Sequence, residues 1–230
     1  MVLVPPSPGI AFTTGLAGDL SLSSGDPAGA AANRTRVSDA LGIPDTWATA
    51  RQVHGRSVVC VGTDDVKVPE ADAVVVRQPD RPAAVLVADC VPIALAGPGV
   101  AAAVHAGWRG LCAGVIEAAV AAAQPRDSSS GGLSAWIGPC IGPCCFEVGP
   151  EVPERFAGGH PDAPDCTERV GASLRFDLRK AGAAVLEASG VEVAGNLDAP
   201  CTCCDHRFFS HRRDGTPERQ ALITWVEGTR

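Results

Sequence analysis

The sequence predicts one integrated α/β unit in which helices and strands alternate along residues 1–230 without a regular βαβ period. Three observations carry this. Short apolar runs rich in Val and Ala, bounded by Gly, Pro and Asp, read as buried strands. Longer segments preceded by a capping residue and closed by Gly read as helices. No internal repeat or domain boundary interrupts them, and the best candidate for a division, the Pro-Arg-Asp-Ser-Ser-Ser-Gly-Gly stretch at 125–132, reads as a short flexible loop.

The first helix is expected over residues 27–41. Asp26 can accept from its free N–H groups, Pro27 suits its first turn, and Gly42 with Pro44 stops it. Residues 71–76 and 83–88 are short and almost wholly apolar, as strands covered on both faces are. Residues 91–96 read as a continuation of the second of these beyond Cys90. Residues 100–105 form another apolar strand, 107–110 a glycine-flanked turn, and 111–123 an Ala-rich helix. Ser134–Ile137 reads as a strand, and Leu178–Ala188 as a helix capped by Asp177.

The charge balance narrows the function classes. There are 26 acidic and 19 basic side chains, for a net charge of -7, and the basic residues are scattered. The one dense basic spot is His211, Arg212 and Arg213. Nothing tracks a phosphate backbone, so nucleic acid is not an expected partner, although one or two arginines can hold a small anion. The N-terminal stretch has no basic segment before its prolines at 5, 6 and 8, and the Val-Ala runs are too short to span a bilayer. A cytoplasmic monomer without membrane contact is expected. The ten cysteines are then reduced thiols or metal ligands, not a disulfide framework.

The histidines are the informative residues, because there are only five. His54, in Arg-Gln-Val-His-Gly, and His105, in Val-His-Ala-Gly-Trp-Arg-Gly, both lie where an apolar stretch meets a glycine turn. Cys90, in Ala-Asp-Cys-Val-Pro, has the same setting. Two imidazoles and a thiolate are good zinc ligands. Their spacing matches no compact ligand motif, and each residue taken alone reads more readily as a structural histidine or a core thiol than as a ligand.

The motifs in series say more. Arg-Gln-Val-His-Gly at 51–55, Ala-Asp-Ala-Val at 71–74, Ala-Asp-Cys-Val-Pro-Ile at 88–93 and Val-His-Ala-Gly-Trp-Arg-Gly at 104–110 come first. Ile-Gly-Pro-Cys-Ile-Gly at 137–142, Phe-Glu-Val-Gly at 146–149, Phe-Asp-Leu at 176–178, Cys-Thr at 201–202 and Phe-Phe-Ser-His-Arg-Arg-Asp-Gly at 208–215 follow in order. Over roughly residues 45–225 this series resembles the bacterial laccase-domain family, also labelled polyphenol oxidase, purine nucleoside phosphorylase or peptidoglycan editing factor. The resemblance implies an α+β fold of layered mixed β-sheets flanked by helices. It also implies zinc on His54, Cys90 and His105, and phosphorolysis of adenosine, inosine, guanosine and methylthioadenosine with adenosine deamination beside it. A nucleoside and phosphate would be the small-molecule partners. The sequence departs from the family at Ala17-Gly18-Asp19-Leu20-Ser21, where Gly-Gly-Val-Ser is usual, at His211, where an aromatic is usual, and at Pro217-Glu218 before Arg219.

Three ligands with an open fourth position would make the zinc catalytic, able to bring a water to a pKa of about 7. Asp89 and Arg109 are the candidate catalytic side chains. Asp89 would orient a ligand imidazole or accept a proton, and Arg109 would hold phosphate. Arg51, Gln52 and Glu147 are candidate substrate contacts, and Trp108 either stacks on a purine or packs over its turn. Four rivals stand beside this reading. A multicopper oxidase needs His-x-His pairs that are absent here, although a single copper suits the same ligands. A peptidoglycan-precursor hydrolase is another reading of the same family. A cysteine hydrolase would use Cys90 and His105. A structural zinc or iron–sulfur module would use Cys201 and Cys204 with Cys140 and Cys144.

Overall fold

A computed structural model describes residues 2–3, 9–62, 69–125, 131–195 and 198–227. Most of the loop expected at 125–132 lies outside the described residues. Two strands come first, β1 (Val2–Leu3) and β2 (Ile10–Thr13), followed by the helix α1 (Pro27–Leu41). That helix has the ends expected of it. The Asp26 side chain accepts from the Gly29 N–H, Pro27 occupies the first turn, and Gly42 closes it at φ +66°. Five strands then run in succession: β3 (Val58–Cys60), β4 (Ala73–Val76), β5 (Ala83–Val87), β6 (Val91–Gly97) and β7 (Val100–Ala106). Beyond them lie α2 (Trp108–Ala113), α3 (Val115–Ala123), β8 (Ser134–Ile137), β9 (Glu147–Val148) and α4 (Glu151–Gly159). The remaining elements are β10 (Thr167–Val170), β11 (Ser173–Phe176), α5 (Leu178–Ala188), β12 (Glu192–Gly195), α6 (His211–Asp214) and β13 (Gln220–Thr224). Asp177 caps α5 by accepting from the Lys180 N–H, as expected.

Among the described residues the strands form two large sheets and one small one. Antiparallel β1-β2-β13-β5 makes the first sheet, and mixed β12-β8-β6-β7-β4-β3 the second, with parallel pairs at both of its edges. The small sheet is β10-β11-β9. Side-chain alternation sorts the core into layers. Val74, Val76, Ala94, Ala101 and Ala103 of the six-stranded sheet meet Ile10, Phe12, Ala83, Val85 and Leu222 of the four-stranded one. The alternate residues Val75, Ile93, Leu95, Ala102 and Val104 turn the other way, onto Ile116, Ala119, Val120, Ala181 and Val185 of α3 and α5. Across the four-stranded sheet, Ala84, Ala221 and Ile223 pack with Val37 of α1 and with Trp47. The result is a helix–sheet–sheet–helix stack, the layered α+β arrangement of mixed sheets flanked by helices.

Three details differ from expectation. Residues 91–96 do not continue the strand before them. β5 pairs with β13 in one sheet, whereas β6 pairs with β7 and β8 in the other. The chain crosses between sheets at 88–90, through Asp89 at φ +86°. Residues 107–110 do not form an isolated turn either, because α2 begins at Trp108. The helix expected over 111–123 is broken at Gly114 (φ +89°), whose N–H bonds the carbonyls of Gly110 and Leu111. Among the described residues no helix is long and apolar enough to cross a membrane.

Candidate metal centre

The site is organised around a carboxylate. Asp72 precedes β4 and is wholly buried. Its N–H donates to the Ser57 carbonyl (2.9 Å), and its own carbonyl accepts from the His105 N–H (2.7 Å) near the end of β7. A buried carboxylate must be filled with donors. Here Oδ1 accepts from the His54 N–H at 2.9 Å and Oδ2 from the Gly55 N–H at 2.7 Å, with the Val53 N–H at 3.3 Å. The His105 Nδ1–H donates to Oδ1 at 2.8 Å. Burial opposes ionisation of Asp72, but the hydrogen bonds from His105, Gly55 and His54 and the His105 charge outweigh it and hold the carboxyl below its usual range.

This fixes the two imidazoles. Three successive N–H groups converge on one carboxylate, and that curls the 53–55 backbone and sets His54 at φ +58°. Such a left-handed non-glycine residue costs about 1–3 kcal/mol and persists where its surroundings impose it. With Nδ1 committed to Asp72, His105 is left with Nε2 as its free ligand atom. Its ring meets that of His54 edge-on, 4.8 Å between centroids. Cys90, at the crossing between the sheets, places its Sγ 3.8 Å from His54 Nε2.

The donor atoms of His54, Cys90 and His105 all lie within 4.8 Å of one another. A tetrahedral ion with Zn–N near 2.0–2.1 Å and Zn–S near 2.3 Å spaces such donors about 3.4–3.6 Å apart, so the three residues fit a single ion. Two nitrogens and a thiolate suit zinc or copper, and a carboxylate behind a ligand imidazole is a usual support for either. Glycine makes room for the cluster. A Cβ on Gly107 would lie 2.8 Å from His54 Cδ2 and 3.1 Å from Cys90 Sγ, and one on Gly110 would lie 2.7 Å from the Gly55 carbonyl oxygen.

The protonation pattern gives a test. Burial alone would push the Cys90 thiol up, but the His105 and His54 imidazoles outweigh it and bring it down to about 6. Burial likewise opposes charge on His105, while the Cys90 thiolate and Asp72 raise it to about 9. At neutrality the metal-free site is therefore a thiolate–imidazolium pair. A metal needs the neutral imidazole, so binding must release the His105 proton. Apparent zinc affinity should rise about tenfold per pH unit between about 6 and 9. Above that window it should level off. Calorimetric titration in buffers of different ionisation heat reads the released proton directly, and a pH-independent affinity would overturn the assignment.

The other candidate residues lie as follows. The carboxylate of Asp89 reaches neither imidazole. It accepts from Thr202 Oγ1 (2.6 Å), Ser210 Oγ (3.1 Å) and the Arg212 N–H (2.7 Å). The carboxylate that orients an imidazole is Asp72. Gln52 has both ends of its amide on the Leu86 backbone, at 2.7 and 2.8 Å. Arg51 pairs with Glu70 in an exposed ion pair. Arg109 is exposed, with its guanidinium 4.4 Å from the Trp108 ring, so Trp108 packs beneath an arginine. The Glu147 side chain is exposed, and its carbonyl accepts from Arg212. Asp72, Thr202 and Ser210 are the residues that the motifs contained without a role being read from them. An acidic residue starting an otherwise apolar strand was the available signal for Asp72, because a charge buried there requires partners.

Fold and site together define a layered α+β protein with a histidine–cysteine centre able to hold a metal. The chain belongs to the family described as multi-copper polyphenol oxidoreductase laccase, whose model matches residues 15–227. A protein of Escherichia coli strain K12 named purine nucleoside phosphorylase YfiH is 37% identical over 198 residues, covering 84% of this chain and 79% of the relative. A purine nucleoside phosphorylase of Pseudomonas aeruginosa is 37% identical over 209 residues, covering 88% and 82%. Among solved structures, a Neisseria meningitidis protein superposes with a TM-score of 0.85 at 30% identity, covering 99% of each chain.

Proposed function

We propose that this chain is a purine nucleoside phosphorylase whose single catalytic ion is zinc on His54, Cys90 and His105. The carrying observation is the Asp72-oriented triad, in a chain 37% identical to proteins of that name. Adenosine, inosine, guanosine and methylthioadenosine are the proposed substrates, with adenosine deamination as a second activity, in a cytoplasmic monomer. Zinc in this position would act as a Lewis acid toward a substrate oxygen or a water.

In phosphorolysis a phosphate oxygen bonds to the ribose C1′ as the C1′–N9 bond breaks. The electron pair leaves with the purine, which takes up a proton. Arg109 is the proposed phosphate holder, because it is exposed two residues from Gly107 and engages an aromatic face instead of a carboxylate. Arg51 and Glu147 are proposed substrate contacts. The exposed Arg51–Glu70 pair is worth at most about 1 kcal/mol, so a ligand can exchange for Glu70. Gln52 and Asp89 serve as positioning residues in this reading. Gln52 fixes the His54 segment to β5, and Asp89 fixes the turn that carries Cys90.

Purified protein supplied with zinc should release base from inosine, adenosine and methylthioadenosine only when phosphate is present, as read by chromatography. Absence of both base release and inosine formation from adenosine would overturn the reading. Arg109→Ala should raise KM for phosphate about tenfold or more, the loss of one charge-assisted hydrogen bond, with a smaller change in kcat. One observation favours a second reading. The thiolate–imidazolium pair of Cys90 and His105, backed by Asp72, also has the form of a cysteine-hydrolase triad. Zinc separates the two: it should block alkylation of Cys90 and support turnover, whereas a hydrolase would be inhibited by it.

A further inference from the structure

A second group of donors stands apart from the triad. The sulfurs of Cys144, Cys145, Cys201 and Cys204 all lie within 4.8 Å of one another. Cys204 Sγ is 3.3 Å from Cys145 Sγ and 3.6 Å from Cys144 Sγ. A zinc ion with Zn–S near 2.3 Å places four tetrahedral sulfurs about 3.8 Å apart. An iron–sulfur cluster interposes several atoms between its thiolates and needs them further apart. The set differs from the one expected from spacing. Cys140 is buried, its Sγ meeting Arg179 Nη2 at 3.6 Å, and Cys145 takes its place.

The surrounding backbone donates to one of the sulfurs and turns tightly around the others. The Gly142 N–H donates to Cys201 Sγ at 3.1 Å, and a Cβ on Gly142 would lie 3.2 Å from Cys201 Cβ and 3.3 Å from Cys144 Sγ. The Cys204 N–H closes a turn onto the Cys201 carbonyl (3.1 Å), and the Cys145 N–H closes one onto Gly142 (3.0 Å). Four thiolates around a divalent ion keep a net negative charge, and two guanidinium groups of α6 dock on these loops. Arg212 donates to the Cys145 carbonyl (3.0 Å), and Arg213 to those of Thr202 (2.9 Å) and Cys203 (3.2 Å). We propose that Cys144, Cys145, Cys201 and Cys204 hold a second, structural zinc ion that clamps the 140–145 loop to the 201–204 loop. The clamp bears on the first site. Ile141 of one loop donates to the Asp89 carbonyl (2.9 Å), and Thr202 of the other donates to the Asp89 carboxylate (2.6 Å), next to Cys90.

Metal analysis of the full chain, purified with zinc under reducing conditions, should find two zinc ions per chain. Cys90→Ala should keep one, and Cys144→Ser combined with Cys204→Ser should keep the other. Cobalt-loaded Cys90→Ala protein should show the charge-transfer and ligand-field spectrum of a four-thiolate tetrahedral site. Mercurial titration of zinc-loaded Cys90→Ala protein should release one zinc as four thiols are blocked, read with a chromogenic chelator, and this decides the matter if the double serine variant does not fold. One zinc in the wild type with none in Cys90→Ala would overturn the proposal. So would iron with sulfide, a mass two hydrogens lower before reduction, or two zinc ions that survive the double serine change.

Discussion

Asp72→Asn is expected to weaken metal binding about 10- to 100-fold and to lower activity by a similar factor. The asparagine side chain has the same shape, so packing at this wholly buried position is kept. What changes is charge and donor count. Asp72 accepts from three backbone N–H groups and the His105 ring, and an amide nitrogen placed there can accept from none of them. The 53–55 turn that holds His54 at positive φ loses much of its support, and His105 loses the partner that fixes its Nδ1 proton. Without the carboxylate the His105 imidazolium is also less favoured, so the pH at which zinc affinity levels off should fall. A merely structural residue would not move that midpoint. Asp72→Ala should go further, because removing one member of a buried ion pair costs about 3–5 kcal/mol, visible as a lowered thermal midpoint.

Gly107→Ala is expected to weaken metal binding at the triad about 5- to 150-fold while leaving the fold intact. Gly107 has φ -72° and ψ 162°, ordinary for any residue, so the added methyl brings no backbone strain. Its effect is contact alone. The methyl would lie 2.8 Å from His54 Cδ2 and 3.1 Å from Cys90 Sγ, both inside normal separation. Relief requires the two ligands to move apart, and overpacking of this kind costs about 1–3 kcal/mol. Triad zinc affinity, read by competition with a chromogenic chelator, should fall by that factor, with the thermal midpoint of the zinc-free protein lowered by about 2–4 °C per kcal/mol of strain. A variant with undiminished triad zinc affinity would show that the ligands are not held as the structure places them.

What could be read in the sequence was what local chemistry controls. Asp26, Pro27 and Gly42 mark the ends of α1 because capping needs only neighbouring residues. The ordered motifs grouped His54, Cys90 and His105, whose donor atoms lie within 4.8 Å of one another. The crossing at Asp89 was hidden, because a non-glycine residue in a left-handed conformation carries no composition signal; it is held there by Thr202 and Ser210 from far along the chain. The first turn of α2 looked like a loop because both of its glycines serve close contacts, Gly107 with the ligands and Gly110 with the Gly55 carbonyl. Strands β2 and β13 escaped notice for a related reason. Neither carries the Val-Ala run that marked β4 and β5, and each is fixed by pairing with strands far along the chain.

That pairing also sets the order in which the protein can be completed during synthesis. β13 lies between β2 and β5, and Ala221 bonds Thr13 across 208 residues of chain. Until the ribosome has delivered Gln220–Thr224, two nascent strands stand with open hydrogen-bonding edges, and one of them leads directly into Cys90. The six-stranded sheet, with His105 at the end of β7, has all its strands once β12 is made, but the apolar face that Leu222 of β13 helps to cover is still open. A ribosome stalled before β13 should therefore display a chain that exposes those two edges to chaperones.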